Sequence, residues 1–154
     1  MAQEIERKFL VDLDKLQLPE QGLTICQGYI PTADKTAVRV RIMGEKAFLT
    51  LKGENRGAVR TEFEYDIPTA DAQQMLKELC KGPVVDKIRY LITHQKHLWE
   101  LDIFSGDNHG LVVAEVELDA EDEQLDLPEW ITEEVTSDPR YFNSNLLSHP
   151  FKNW

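Results

Sequence analysis

Six of the segments that read as β-strands carry two like-signed ionic residues at positions i and i+2 with an apolar residue between them. The pairs are Glu4/Glu6 around Ile5, Arg39/Arg41 around Val40, Glu62/Glu64 around Phe63, Lys87/Arg89 around Ile88, Glu100/Asp102 around Leu101 and Glu115/Glu117 around Val116. Lys8 extends the first to Glu-x-Glu-x-Lys, and Lys52 follows Thr50 with the same parity. On a β-strand such residues point to one side, about 6.6 Å apart. Like charges at that spacing repel by about 0.6 kcal/mol in water and about 2.5 kcal/mol at an effective dielectric near 20. One such pair is an ordinary solvated strand face. Six together are costly unless neighbouring strands or a ligand supply the opposite charge.

The two sets imply complementary chemistry. Lys8, Arg39, Arg41, Lys52, Lys87 and Arg89, with Arg60 a further candidate, suit a chain of phosphates, because guanidinium forks match phosphate oxygens. Glu4, Glu6, Glu62, Glu64, Glu100, Asp102, Glu115 and Glu117 suit a hard, oxygen-preferring cation, Mg²⁺ or Mn²⁺. Tyr29 shares parity with Gln27 and could place its hydroxyl on the same face.

The elements that must position these residues are mostly strands. Period-two alternation marks eight, at 3–10, 24–31, 36–43, 46–53, 58–67, 84–94, 97–104 and 110–118. Gly-, Asn- and Asp-containing links between several of them predict antiparallel neighbours. Ala70 to Cys80 reads as a helix, with Thr69 as cap, an apolar stripe of Ala72, Met75, Leu76 and Leu79, and Gly82-Pro83 as the stop. A weaker helical signal lies near Asp12–Gln17. The acidic, Pro-broken stretch from about 119 onward is expected to be a helical appendage, with a last helix over Pro139 to Leu147 capped by Asp138. Eight antiparallel strands can close a barrel around one ligand. If the ionic face points inward the lumen must be wet, and the outward apolar face needs a cover from the 70–80 helix and the 119–147 region. The four histidines read as solvated, with His94 and His97 on different strand faces. Trp99 belongs to the outer apolar cover.

The chain has 154 residues, 17 of them Lys or Arg and 28 Asp or Glu, for a formal charge of −11. That length suits a single domain over 1–154. The acidic balance argues against nucleic acid or an anionic membrane as partner. No run of 18 apolar residues occurs, and Glu4 and Glu6 stand where a signal peptide would be basic and then apolar. Cys26 and Cys80 form no CxxC, so they read as reduced thiols and the expected location is cytoplasmic.

The ordered motifs Glu4-Ile5-Glu6-Arg7-Lys8, Arg39-Val40-Arg41, Thr50-Leu51-Lys52, Glu62-Phe63-Glu64, Lys87-Ile88-Arg89 and Glu115-Val116-Glu117 resemble the CYTH superfamily of triphosphate tunnel metalloenzymes. The tail from Leu127-Pro128-Glu129-Trp130 through Asp138-Pro139-Arg140-Tyr141-Phe142-Asn143 resembles its small bacterial members. The resemblance implies a mainly β (α+β) fold, a closed eight-stranded antiparallel barrel with a few flanking helices. It implies a small-molecule triphosphate ligand, with Lys8, Arg39, Arg41, Lys52, Lys87 and Arg89 on the phosphates. Metal would fall to Glu4, Glu6, Glu115 and Glu117, with Asp102, Glu62 and Glu64 as outer or second-metal ligands. Glu62, Glu64 and Tyr29 are the candidates for activating or orienting water. Family activities include inorganic, thiamine and RNA triphosphatase and adenylate cyclase. Gln27-Gly28-Tyr29-Ile30 departs from the Asp-Thr-Tyr-aromatic stretch of cyclases and thiamine triphosphatases, and favours hydrolysis of inorganic triphosphate. A non-catalytic polyphosphate-binding module would need the cations but not eight carboxylates. The sequence leaves open a homodimer.

Overall fold

The computed structural model describes residues 3–80 and 82–154. Nine strands and one α-helix follow in chain order: β1 (Gln3–Val11), β2 (Leu23–Ile30), β3 (Ala37–Met43), β4 (Lys46–Lys52), β5 (Val59–Ile67), α1 (Thr69–Glu78), β6 (Val85–His94), β7 (His97–Phe104), β8 (Val112–Glu117) and β9 (Ile131–Glu134). The eight expected strands are all present, with ends within two residues of the alternation pattern. All pairings are antiparallel, in the order β5-β4-β3-β2-β6-β7-β8-β1-β9, and a β5–β1 pairing closes the first eight into a barrel.

Closure is brief. Only Gln3, Glu4 and Ile5 of β1 meet β5, opposite Thr61, Arg60 and Val59. Further along the same edge, β9 takes over, pairing at Phe9 and Val11. This is where the expected C-terminal helix fails. Ile131-Thr132-Glu133-Glu134 is a strand because it satisfies backbone groups that β5 leaves behind. Asp138 does cap the following turn, accepting from the Arg140 amide, but Pro139–Tyr141 is a single 3₁₀ turn. A second, Phe151–Asn153, follows Pro150. Prolines at 128, 139 and 150 interrupt this region. The weak signal at 12–17 resolves to one 3₁₀ turn, Leu13–Lys15, with Asp12 accepting from the Asp14 amide.

The apolar outer face has two covers. Helix α1 packs on β2, β3 and β4, placing Ala72, Met75 and Leu76 against Val40, Ala47 and Leu49. Gly28 permits the approach: a Cβ there would come within 3.0 Å of Leu76 Cδ2 and 3.1 Å of Cys80 Cβ. Leu79 of the predicted stripe stays exposed. Thr69 does not cap the helix, its hydroxyl donating instead to the Glu45 carbonyl. The second cover comes from residues 12–18 and 118–131, which bury Trp99, Phe9 and Trp130 in an edge-on aromatic stack over β1, β7 and β8.

The inner face changes character along its length. Lys8 is followed on its face by Leu10, Glu115 is preceded by Val113, Asp102 is followed by Phe104, and Lys87 is preceded by Val85. Val85, Phe104, Val113 and Leu10 join Leu111, Val135, Tyr141 and Leu146 in one apolar cluster. One end of the barrel is therefore plugged by hydrophobic side chains, and the C-terminal segment completes the plug. Among the described residues no helix is long and apolar enough to cross a membrane.

Candidate active site

The ionic face points into the barrel. Lys8, Arg39, Arg41, Lys87, Arg89, Asp102 and Glu115 are all buried, an arrangement that demands either mutual neutralisation or a charged ligand. A cavity inside is lined by Lys8, Arg39, Arg41, Lys52 and Arg60 together with Glu4, Glu6, Glu115 and Tyr29. The C-terminal segment adds Thr136, Phe142, Asn143 and Ser144 to the same wall. Beyond Tyr29 and Phe142 the cavity meets a wider vestibule of ≈ 590 Å³ bordered by Ile30, Pro31, Pro139 and Asn145.

The cations fall into two groups. Arg39 and Arg41 are held largely by neutral partners. Arg41 Nε donates to Gln27 Oε1 at 2.8 Å, and Gln27 in turn donates to the Tyr29 hydroxyl at 3.2 Å. Arg39 Nη2 reaches Thr50 Oγ1 and Glu64 Oε2, both at 3.3 Å, while its buried Nε has no partner. Burial and the Arg39 and Arg89 charges push the Arg41 guanidinium down to about 10. Arg60 sits nearby with Nε on the Gly53 carbonyl. Lys87 and Arg89, by contrast, converge on Asp102. Lys87 Nζ lies 2.8 Å from Asp102 Oδ2, and Arg89 grips both Asp102 oxygens at 2.8 and 2.9 Å while reaching Glu100 at 3.0 Å. Burial pushes the Lys87 ammonium down to about 7 even so. Neither residue borders the cavity.

The carboxylates divide likewise. Glu6, Glu100 and Glu115 each bring an oxygen within 4.8 Å of the other two. Burial, reinforced by Glu115 and Glu4, raises Glu6 well above the carboxylate range. Burial pushes Glu115 up too, but Lys8, a hydrogen bond with Glu6 and the Lys87 charge outweigh it and hold Glu115 well below. Three carboxylates this close hold either a proton or a cation between them, and an all-oxygen donor set suits Mg²⁺ or Mn²⁺. Glu4 accepts from Lys52 at 3.3 Å, and burial raises it to about 7. Glu62 pairs with Lys52 at 3.0 Å, and Glu64 accepts from Thr50 at 2.9 Å. Asp102 is wholly enclosed by its two cations. Glu117 is opposite Glu6 in the ladder but exposed, bordering a separate shallow pocket with Leu98 and Asp119.

Of the sequence-derived site residues, Glu4, Glu6, Lys8, Tyr29, Arg39, Arg41, Lys52 and Glu115 border the cavity, whereas Glu62, Glu64, Lys87, Arg89, Asp102 and Glu117 do not. Glu100, which the sequence reading placed in the anionic set without a role, completes the trio. It could have been found from the β7–β8 hairpin register, which sets Glu100 opposite Glu115. The cavity-lining residues 136 and 142–144 had no periodic signal. Two peripheral expectations are corrected. His94 and His97 face each other across the β6–β7 hairpin, and His97 is nine-tenths buried and paired with Glu123 through Nε2.

The structure is thus a closed antiparallel barrel that carries cations and carboxylates together on its inner wall. The chain belongs to the CYTH domain family, whose model matches residues 2–148. It is 45% identical over 154 residues to an inorganic triphosphatase of Acetivibrio thermocellus, covering 100% of this chain and 99% of that one. It is 39% identical to an inorganic triphosphatase of Nitrosomonas europaea, with 96% and 99% covered. A solved structure described as an inorganic triphosphatase superposes with a TM-score of 0.66 at 37% identity, covering 96% of this chain and 95% of the other.

Proposed function

We propose that this protein hydrolyses inorganic triphosphate to pyrophosphate and phosphate, using a divalent cation. The observation that carries the reading is the cavity itself, where Lys8, Arg39, Arg41, Lys52 and Arg60 face a space bordered by Glu4, Glu6 and Glu115. Full-length relatives described as inorganic triphosphatases support the same substrate.

Each residue then has a task. Arg41 has no carboxylate partner among the described residues, and Arg39 gives only Nη2 to Glu64, so their remaining guanidinium donors can hold the oxygens of the phosphoryl group being transferred, whose charge spreads in the transition state. Lys8, Lys52 and Arg60 hold the remaining phosphates in line. Glu6, Glu100 and Glu115 would hold Mg²⁺ or Mn²⁺, with Glu4 beside them and Glu117 at the rim. When bound, that cation neutralises phosphate charge. Tyr29 borders the cavity and orients the attacking water through its hydroxyl. Glu62 and Glu64 hold Lys52 and Arg39 in position and are the carboxylates through which the water's proton can leave. Lys87, Arg89 and Asp102 form a buried ionic floor beneath the site.

The substitution Glu115→Gln removes one charge from the trio with almost no change of shape. It should abolish metal-dependent phosphate release from tripolyphosphate, while the far-ultraviolet circular dichroism stays that of the parent. Undiminished release from this variant would remove Glu115 from the metal site and the reading with it.

A further inference from the structure

The C-terminal segment does more than plug the barrel, since it takes hold of two lysines of the ionic face. Lys8 Nζ donates to the Tyr141 carbonyl at 3.0 Å, and Lys87 Nζ donates to Asn143 Oδ1 at 3.0 Å. An ammonium only donates, so the side of the Asn143 amide that meets Lys87 must be its oxygen. The opposite side is then the NH₂ group. Asn143 borders the cavity between Phe142 and Ser144, and among the described residues its Nδ2 has no protein acceptor.

The turn carrying Asn143 is firmly placed. Tyr141 is buried and packs edge-on against Trp154, with ring centroids 5.0 Å apart. Asn145 Nδ2 donates to the Pro139 carbonyl at 2.9 Å, and Leu146 is anchored in the apolar cluster. A donor held this way costs little entropy to use.

We propose that Asn143 is a substrate-binding residue: its Nδ2 donates to a phosphate oxygen while its Oδ1 keeps the Lys87 ammonium turned toward the same wall. This rests on the cavity being the triphosphate site. It adds a neutral donor from outside the eight barrel strands to a site whose ions are strand-borne. It also links the C-terminal segment to substrate affinity.

Two substitutions separate the donor from the acceptor. Asn143→Asp keeps the oxygen for Lys87 but replaces the NH₂ with a second oxygen. Asn143→Leu removes both functions at similar size. The affinity for tripolyphosphate is read from the concentration dependence of the unfolding temperature in the presence of Mg²⁺, and turnover is read separately as phosphate release. The expected result is a loss of affinity and a rise in KM of about 10- to 100-fold for Asn143→Leu, the loss of one charge-assisted hydrogen bond. Asn143→Asp should lose more, and kcat should fall less than KM rises in both.

Affinity retained by Asn143→Asp would reduce Asn143 to a support for Lys87 and overturn the proposal. Affinity retained by Asn143→Leu, with only a lower unfolding temperature, would overturn it as a purely structural residue. A parent protein that binds tripolyphosphate without cleaving it would defeat the hydrolytic reading and leave the Asn143 assignment standing on affinity. A parent that does not bind it would defeat both.

Discussion

Arg39/Arg41 and Lys87/Arg89 are the same pattern in sequence, two cations around an apolar residue on an inward strand face, yet their surroundings make them different instruments. Opposite Arg39 on β4 stands Thr50, and opposite Arg41 on β2 stands Gln27, whereas opposite Arg89 on β7 stands Asp102. Arg41 therefore keeps its charge for a ligand, and Arg39 shares its own only with the partly exposed Glu64 at 3.3 Å. The second pair has its charge answered by a carboxylate that is itself fully buried. A buried cation becomes a binding group or a structural one according to its cross-strand partner, not its own identity.

The largest effect that would sharpen this contrast comes from the structural pair. Asn in place of Asp102 leaves Lys87 and Arg89 buried without their shared counter-charge, and should cost about 3–5 kcal/mol of unfolding free energy in urea. A loss well under 1 kcal/mol would dissolve the distinction. The converse holds for Arg41→Ala. With no ion pair to break among the described residues, it should change stability by under about 1 kcal/mol and lower kcat/KM for tripolyphosphate about 100-fold, as expected for a lost phosphate contact of about 3 kcal/mol. Stability and activity falling together would show that Arg41 is structural after all.

The pH dependence of stability carries the third expectation. Lys87 is pushed from its ordinary 10.5 down to about 7 by burial, so above pH 7 the folded chain binds fewer protons at this site than the unfolded chain. Its contribution to stability therefore rises with pH from about 7 to about 10.5 and is flat below 7. The parent should gain stability relative to Lys87→Met across that window, measured by urea unfolding at a series of pH values. A relative loss would mean that Asp102 holds Lys87 charged. The smallest effect belongs outside the barrel. Lys35 and Glu54 meet at 2.9 Å with side chains 78% and 58% exposed, and Lys35→Ala should move stability by no more than about 0.5 kcal/mol.

The barrel was legible because its strands are set by a local, period-two pattern. The cost of six like-charged pairs called for an opposite charge from neighbouring strands or a ligand, but alternation left open which face points inward. The C-terminal region was not legible for a physical reason. Residues 131–134 are a strand only because β5 leaves part of the β1 edge unpaired, a fact that exists only after the barrel closes. The site divides in the same way. Which residues are ionic, and that they share one side of the sheet, could be read from parity. That Asp102 is occupied by Lys87 and Arg89, and that Glu100 joins Glu6 and Glu115, depends on register between strands. Asn143 lies in a turn with no periodicity, so only the folded chain brings it to the cavity wall.

Cleavage of triphosphate on the inner wall, as opposed to binding of a polyanion there, separates an enzyme from a binding module. Phosphorus-31 magnetic resonance of tripolyphosphate incubated with the purified protein tests this most directly, with Mg²⁺ or Mn²⁺ and with the cation chelated. Inorganic phosphate and pyrophosphate should accumulate in equal amounts, only when the cation is present, with the pyrophosphate persisting. An unchanged tripolyphosphate spectrum in the presence of either cation would contradict the proposed cleavage.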